Sequence, residues 1–234
     1  MSRLTQLREE LDGMVNHQFG TPEFVRFLNV RFTMNRARFF AIHMALYTKN
    51  RRDCWGYVQG AAPLDVKRII WRHEEEELVS DPRCETDHFS LQVKECRLLG
   101  IHPEEVEKAE PIPQARAAHY AWIYLALQQD WLAAVASSSI LERRNSNEIV
   151  KGGGLSLRIG KKWREELGLD WKDMPSMEVH KEADKEHADM MWAIFERYAA
   201  SGSGYGSVLA GARESLAIDR AYRLGLAVAM EGIE

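Results

Sequence analysis

Apolar residues recur every three to four positions along nearly the whole of this 234-residue chain, and the alternating patterns typical of strands are almost absent. The first such segment places Leu4, Leu7 and Leu11 on one side of a helix that begins after a Ser2 cap. A chain of this length can bury a sizeable core without disulfides. The sequence therefore predicts a single all-α domain over residues 1–234, a bundle of seven or eight helices.

Proline, glycine and capping residues mark the predicted helix boundaries. Thr21-Pro22 has the pattern of an N-cap followed by a first-turn proline, and it should open a long helix that runs to about Lys49. Further helices are predicted from Pro63 to about Val79, from a Thr86 or Asp87 cap to about Leu99, from Ala115 to about Asn147, from Ile159 to Leu167, from Ser176 to a Gly202–Gly206 linker, and from Ser207 to about Met230. Turns are predicted at Pro103, Pro111 and Pro113, a bend at Ser137–Ser139, and a flexible loop at Gly152–Gly154.

Charge and cysteine content exclude several classes of protein. The chain has 31 Lys+Arg against 35 Asp+Glu, a net charge of −4, so it lacks the basic surplus of a nucleic-acid-binding protein. The longest apolar runs, Phe39 to Tyr47 and Tyr120 to Leu127, are too short to span a membrane, and no export signal opens the chain. The three cysteines Cys54, Cys84 and Cys96 form no CxxC pair. We therefore expect a reduced, cytoplasmic protein with neither a membrane nor a nucleic-acid partner.

One segment carries a recognisable chemical pattern. His180, Asp184 and His187 stand at i, i+4 and i+7, which at about 100° per residue puts them within roughly 60° of one another on a helix. Glu182 and Glu186 fall on the opposite, solvent side. Two imidazoles and a carboxylate on one stripe suit iron, manganese or zinc. The alternative interpretation is a charged helix face with two surface histidines.

A second acidic segment lies near the C-terminal end of a predicted helix. The four consecutive glutamates from Glu74 to Glu77 oppose the helix dipole at this end, a mild cost that needs a reason. Glu74 and Glu77 share one helix face. The turn at Asp81-Pro82 can bring His88, at the start of the next helix, back toward them. The segment is either a solvated acidic patch or part of a metal site.

Glu142 is the third candidate, because it lies in the most apolar predicted helix. An isolated buried carboxylate is very costly and needs a partner. Arg143 or Arg144 could supply one, and a bound cation is the alternative. Together, the three segments supply histidines and carboxylates from three or four helices, as in the di-iron proteins whose ligands project into a bundle core.

The order of these motifs resembles the heme-oxygenase-like di-iron oxidases. This family belongs to the larger group of the thiaminase-like TenA proteins and the pyrroloquinoline-quinone synthase PqqC. The resemblance covers about residues 60–200, and in outline the whole chain. Carried over residue by residue, it implies six metal ligands: Glu77 (with Glu74 as the alternative), His88, Glu142, His180, Asp184 and His187.

The resemblance also implies a chemistry. Two Fe(II) ions per chain would use O2 as cosubstrate, through a peroxo-di-iron centre, to oxidise a small carboxylate-bearing metabolite. An amino acid is expected before a fatty acid, and the reaction would be N-oxygenation or oxidative C–C cleavage or rearrangement. Arg144, Lys151 and Arg158 are candidates for holding the substrate carboxylate. A homodimer and an external electron donor are further expectations of the resemblance.

Other interpretations remain open at this point. The chain could be a cofactorless PqqC- or TenA-like enzyme, with Cys84 or Cys96 as nucleophile, or a metal-free helical binding module. His17 could correspond to the haem ligand of true haem oxygenases, although their glycine-kinked helix is not visible. Leu141 and Ser176 stand where the branch that makes aminobenzoate from its own tyrosine has tyrosines, which argues against self-sacrificing chemistry.

Overall fold

The computed structural model describes residues 2–128 and 130–234, and the only β-pairing found among them is an isolated bridge between Asp81 and Thr86. The α-helices are α1 (Arg3–Gln18), α2 (Pro22–Asn29), α3 (Met34–Ala61), α4 (Leu64–Leu78), α5 (His88–Leu98), α6 (Pro103–Lys108), α7 (Pro113–Ala126), α8 (Trp131–Asn145), α9 (Leu155–Leu167), α10 (Pro175–Tyr198) and α11 (Gly202–Glu231). A short 3-10 helix, Trp171–Asp173, precedes α10. The all-α prediction is confirmed. None of these helices combines the length and apolarity that a bilayer span requires.

The described chain forms eleven α-helices where seven or eight were predicted, partly because two long predicted helices are divided. The helix opened by Pro22 stops at Asn29, and α3 continues well past Lys49 to Ala61. In the break, the Phe32 backbone N–H donates to the Glu166 carboxylate at 2.6 Å. Thr33 caps the new helix locally, since its hydroxyl accepts from the Arg36 N–H at 3.3 Å, whereas the Glu166 partner is distant in sequence.

The predicted helix from Ala115 to Asn147 is also divided. Helix α7 begins at Pro113 and ends at Ala126, and α8 starts after Asp130, whose carboxylate accepts from the Leu132 and Ala133 N–H groups at 3.2 Å each. The capping carboxylate therefore explains the new start. The three serines Ser137–Ser139 lie inside α8.

Several predicted turns and linkers are helix starts instead. Pro103 opens α6, Pro113 opens α7, and the Gly202–Gly206 segment forms the first turns of α11 after a Ser201 cap. At Gly204 a Cβ atom would lie 2.3 Å from the Tyr198 carbonyl oxygen. The glycine therefore serves close packing of α11 on the end of α10.

Helix α8 is the centre of the packing. It packs against α1, α3, α7, α9, α10 and α11, and twelve of its fifteen residues are buried. Helix α10 in turn packs against α4, α5 and α8. One apolar cluster of buried side chains includes residues from Leu7 to Met230. This arrangement brings α4, α5, α8 and α10 around a common interior.

The close contact of α11 with α8 gives a test of the packing. A Cβ atom added at Gly211 would lie 2.0 Å from the Ala133 carbonyl oxygen. We expect Gly211→Ala to lower the free energy of unfolding by about 1–3 kcal/mol, and thus the melting temperature by about 2–4 °C per kcal/mol. Gly60→Ala is the control, because a Cβ there meets nothing within 4 Å, and it should be neutral or stabilising. Equal melting temperatures of the two variants would contradict this packing.

Candidate metal centre

Four helices bring imidazole and carboxylate groups into the interior of the bundle. Two overlapping groups of side chains each offer ligand atoms within 4.8 Å of one another: His73, Glu77, Glu142 and His187 form the first group, and Glu77, His88 and His180 form the second. We call these six residues the His/Glu cluster. Glu77 belongs to both groups. His180 is half-buried, and the other five are buried.

The local sequence explains how α10 and α5 present their ligands. The stripe of His180, Asp184 and His187 faces the interior, whereas Glu182 and Glu186 are exposed, as the helical spacing predicts. Helix α5 begins at His88 because the Asp87 carboxylate accepts from the Ser90 N–H at 2.8 Å. The turn before α5 brings the start of this helix back toward α4.

Helix α4 supplies two cluster residues at i and i+4. His73 and Glu77 therefore lie on the same buried face. The Nδ1 atom of His88 is 2.9 Å from Glu77 Oε1, which places the start of α5 against the end of α4. The predicted approach of His88 to the glutamate run is therefore found in the structure.

The separations around His187 would suit side chains that share a metal ion. Its Nδ1 atom lies 3.5 Å from Glu77 Oε1 and 3.8 Å from Glu142 Oε2. Hydrogen bonds are shorter, at about 2.7–3.2 Å. Atoms that each lie about 2.0–2.2 Å from one metal ion are separated by roughly 3–4 Å. The three side chains therefore leave room for a cation between them.

Each imidazole of the His/Glu cluster has one ring nitrogen on an oxygen atom outside the cluster. The pairs are His73 Nδ1 with Glu74 Oε1 at 2.9 Å, His88 Nε2 with Asp81 Oδ2 at 2.7 Å, His180 Nδ1 with the Ser176 carbonyl at 2.7 Å, and His187 Nε2 with Glu76 Oε2 at 3.2 Å. Partners of this kind fix the ring orientation and tautomer of metal-binding histidines. The second ring nitrogen of His73, His180 and His187 is thereby left available to a metal ion, whereas Nδ1 of His88 meets Glu77 Oε1 at 2.9 Å.

Several buried polar atoms at the His/Glu cluster have no hydrogen-bond partner in the described part of the chain. They are both carboxylate oxygens of Asp184, Nδ1 of His187 and Nε2 of His73. Asp184 is 1% exposed. Burial, together with the nearby Glu142 carboxylate, raises the pKa of Asp184 well above its usual range. Buried carboxylate oxygens and imidazole nitrogens without a hydrogen-bond partner fit the coordination of a resident cation.

Burial and the neighbouring ionisable groups shift the pKa values of residues in the His/Glu cluster. Burial disfavours the charged form of His187, but the Glu142 and Glu76 carboxylates outweigh it and raise its pKa to about 10. Glu142 shows the converse: despite burial, His187 and His73 lower its pKa to about 2. Burial and the neighbouring His88 lower the pKa of His180 to about 4. The neighbouring carboxylates thus favour a protonated His187 in the metal-free protein, and a metal ion bound at this imidazole would displace that proton.

The structure distinguishes Glu77 from Glu74, the alternative first ligand. Glu74 Oε1 is held by His73 Nδ1 at 2.9 Å and by Arg52 Nη1 at 3.0 Å. Glu77 keeps Oε1 toward His88 and His187, while its Oε2 meets Arg52 Nη1 at 2.8 Å. Glu77 therefore occupies the central position and Glu74 a supporting one.

Arginine pairing does not explain the buried Glu142. Among the described residues, Arg143 pairs with Asp12 at 2.6 Å, and Arg144 Nε lies 3.2 Å from Asp219 Oδ2. No ion pair joins either arginine to Glu142 in the same part of the chain. The basic groups within 4 Å of its carboxylate among the described residues are two imidazoles, His73 Nε2 at 3.9 Å and His187 Nδ1 at 3.8 Å.

Sequence reasoning missed the supporting residues of the site. His73 carried a usable signal, because it stands four residues before Glu77 on the same helix. No sequence signal identified Asp81 as the partner of His88, or Glu76 as the partner of His187. Those contacts depend on how the helices meet. Arg52 lies on α3, and no local spacing pattern related it to the other residues of the site.

The three predicted substrate-binding residues are placed differently. Arg144 is 1% exposed and lines a cavity of about 70 Å³ that reaches His180. Lys151 is exposed on the loop before α9. Arg158 donates to the carbonyls of Gly153 and Lys151 at 2.7 and 2.6 Å. Of the three, only Arg144 is brought to this cavity.

Comparison with known proteins relates the chain to one family. The model of a family described as "Iron-containing redox enzyme" matches residues 38–220. This range contains Asp184 and all residues of the His/Glu cluster. Among curated proteins, none gives a significant match.

Solved structures share the fold. A domain of unknown function with a heme oxygenase-like fold from Shewanella denitrificans OS217 gives a TM-score of 0.75 at 17% identity, over 97% of this chain and 92% of that one. A CADD-like protein of unknown function from Nostoc punctiforme PCC 73102 gives a TM-score of 0.74 at 14% identity, over 97% of both chains. The present chain therefore has a heme-oxygenase-like fold.

Proposed function

This chain belongs to the family of iron-containing redox enzymes, and on that premise we propose that it is an O2-dependent oxidase or oxygenase with two iron ions per chain. Its substrate would be a small carboxylate-bearing metabolite. The reaction would be N-oxygenation or oxidative C–C cleavage or rearrangement.

The observation that carries the proposal is the sharing of Glu77 between two ligand groups. One group adds His73, Glu142 and His187, and the other adds His88 and His180. Glu77 Oε1 lies 3.5 Å from His187 Nδ1 of the first group and 2.9 Å from His88 Nδ1 of the second, so this carboxylate would serve both ions of a two-metal site. Two adjacent ligand sets with one common carboxylate support two ions better than one.

We assign the ligands from these contacts. Glu77, His88, Glu142, His180, Asp184 and His187 would hold the two ions, with His73 as a further candidate. Asp184 enters because its carboxylate is buried, unpartnered among the described residues and beside Glu142. When bound, iron supplies the electrons and open coordination positions that O2 reduction requires.

The chain's own residues have four roles in this proposal. Glu74, Glu76, Asp81 and the Ser176 carbonyl orient the imidazoles. Arg52 balances the charge of the carboxylates. The apolar bundle excludes water, and the cavity beside His180 would hold the substrate next to the ions.

A thiol nucleophile of a hydrolase is disfavoured by the same structure. Burial raises the pKa of Cys96 to about 12, and it also raises the pKa of Cys84. Since the thiolate is the reactive form, neither residue is activated for attack. All three cysteines are free thiols, as the sequence predicts.

The direct test is anaerobic loading with Fe(II), followed by exposure to O2. We expect about two iron atoms per chain and a transient absorption band on oxygenation. Zn(II)-loaded protein is the control, because zinc has no redox chemistry. A protein that binds no iron, or binds iron without consuming O2 in the presence of substrate candidates, would contradict the proposal.

A further inference from the structure

The cavity beside His180 holds ionisable groups that metal binding does not use. Among its lining residues are Arg144, Arg223, Gln92, Glu95 and Ser176. A second cavity shares Tyr47, Thr48, Asn145 and His180 with it and touches Glu77 and Glu142. The first cavity is therefore adjacent to the metal centre. The inference below rests on the proposed function of that centre.

One end of the cavity carries unsatisfied positive charge. Arg144 and Arg223 are 1% and 0% exposed, and both pair with the single carboxylate of Asp219, at 3.2 and 3.1 Å. The Nη2 atom of each guanidinium has no hydrogen-bond partner in the described chain. Among the ion pairs of the described residues, these two buried arginines share the single carboxylate of Asp219. A ligand carboxylate would satisfy both free Nη2 groups.

Glu95 is a buried acid on another wall of the same cavity. It is 1% exposed, and its oxygens accept from the Gln92 amide and the Met177 N–H, both at 3.3 Å. Burial raises its pKa to about 7, and no cationic side chain of the described residues forms an ion pair with it. A buried carboxylate without a counter-ion is costly. A ligand ammonium group would provide the missing charge.

We propose that this cavity binds a zwitterionic, amino-acid-like substrate, whose carboxylate is held by Arg144 and Arg223 and whose ammonium group is held by Glu95. A fatty acid would satisfy the arginines but leave Glu95 without a partner. In the sequence, only the family resemblance favoured an amino acid over a fatty acid. The opposite charges on the walls of this cavity give that choice a structural basis.

Equilibrium binding to the Zn(II)-loaded, full-length protein tests the inference without turnover. Calorimetry would compare three zwitterions (norleucine, lysine and 6-aminohexanoate) with hexanoate and hexylamine, each of which carries only one of the two charges. We expect at least one zwitterion to bind about tenfold or more tightly than both single-charge probes. Equal or tighter binding of hexanoate would overturn the inference, as would the failure of every zwitterion to bind.

Two substitutions test which residues hold the ammonium group and the carboxylate of the ligand. Glu95→Gln keeps the shape of the side chain, and it should remove the zwitterion preference while changing hexanoate affinity less than about twofold. Arg223→Lys keeps the buried charge but loses the planar fork, and it should weaken carboxylate-bearing probes about tenfold without affecting hexylamine. Glu182→Gln, at an exposed position of α10, is the control. A zwitterion preference that survives Glu95→Gln would overturn the inference.

The two proposals fail separately. Two iron atoms per chain without a zwitterion preference would overturn only the substrate class. A zwitterion preference in a protein that binds no iron would overturn the oxidase and leave the cavity assignment in place.

Discussion

Replacing His187 by alanine is expected to reduce the iron content from about two atoms per chain to one or fewer. His187 is fully buried, and its Nδ1 atom faces both Glu77 and Glu142. Loss of a residue that only orients a ligand typically weakens metal binding about 10–100-fold, so loss of the ligand itself should weaken it by more than about 100-fold. Iron analysis after anaerobic loading and desalting measures the effect.

Two further variants make this result specific. Glu76→Gln removes the carboxylate that holds His187 Nε2 at 3.2 Å, and it should give an intermediate loss of about 10–100-fold in affinity. His17→Ala should leave the iron content unchanged, because His17 is exposed on α1, away from the His/Glu cluster. Undiminished iron in both His187→Ala and His180→Ala would show that the metal binds elsewhere.

Replacing Asp184 by asparagine is expected to stabilise the metal-free protein while it impairs metal binding. Both oxygens of the Asp184 carboxylate are buried without a partner among the described residues. Removing a buried carboxyl group whose ionisation is disfavoured in the folded protein should raise the free energy of unfolding by about 1–3 kcal/mol, or the melting temperature by about 2–4 °C per kcal/mol. Metal should stabilise the wild-type protein more than the variant. Differential scanning calorimetry with and without Zn(II) measures both effects.

The pH dependence of the Asp184→Asn effect follows from the sign of the pKa shift. The pKa of Asp184 is raised in the folded protein, so its folding penalty is absent below the ordinary pKa of an aspartic acid and grows as the pH rises above it. The stability difference between wild type and variant should therefore shrink toward acid pH. Asp189→Asn is the control, since Asp189 is exposed on the same helix. A metal-free Asp184→Asn protein that is less stable than the wild type at neutral pH would contradict the prediction.

Predictions that depend on a single helix agree with the structure best. The spacing of His180, Asp184 and His187 fixes their shared face because one helix carries all three. The Asp87 cap likewise places His88 at the first position of α5. Two predicted helix boundaries were wrong: at the α2–α3 break the distant Glu166 holds the backbone of Phe32, and at the α7–α8 break the local Asp130 cap starts a new helix.

The ionisable side chains that line the cavity beside His180 could not be identified from local sequence patterns. Glu95 and Arg223 lie on α5 and α11, in segments without a chemical motif. Their significance comes from lining the same cavity and from the charges left unpaired there. Arg144 was a candidate from the sequence, but its pairing with Asp219 required the folded chain.

The sequence by itself determined the all-α class, most helix faces, and the residue types and order of the candidate metal-binding motifs, because helical periodicity and capping act over a few residues. The tertiary structure alone decided which carboxylate is central, Glu77 rather than Glu74, and that His73 joins the His/Glu cluster. It also decided that the cavity beside His180 carries opposite charges on its walls. These features are contacts between helices, and such contacts arise only when the packing of the bundle fixes the distances between segments that are far apart in the chain.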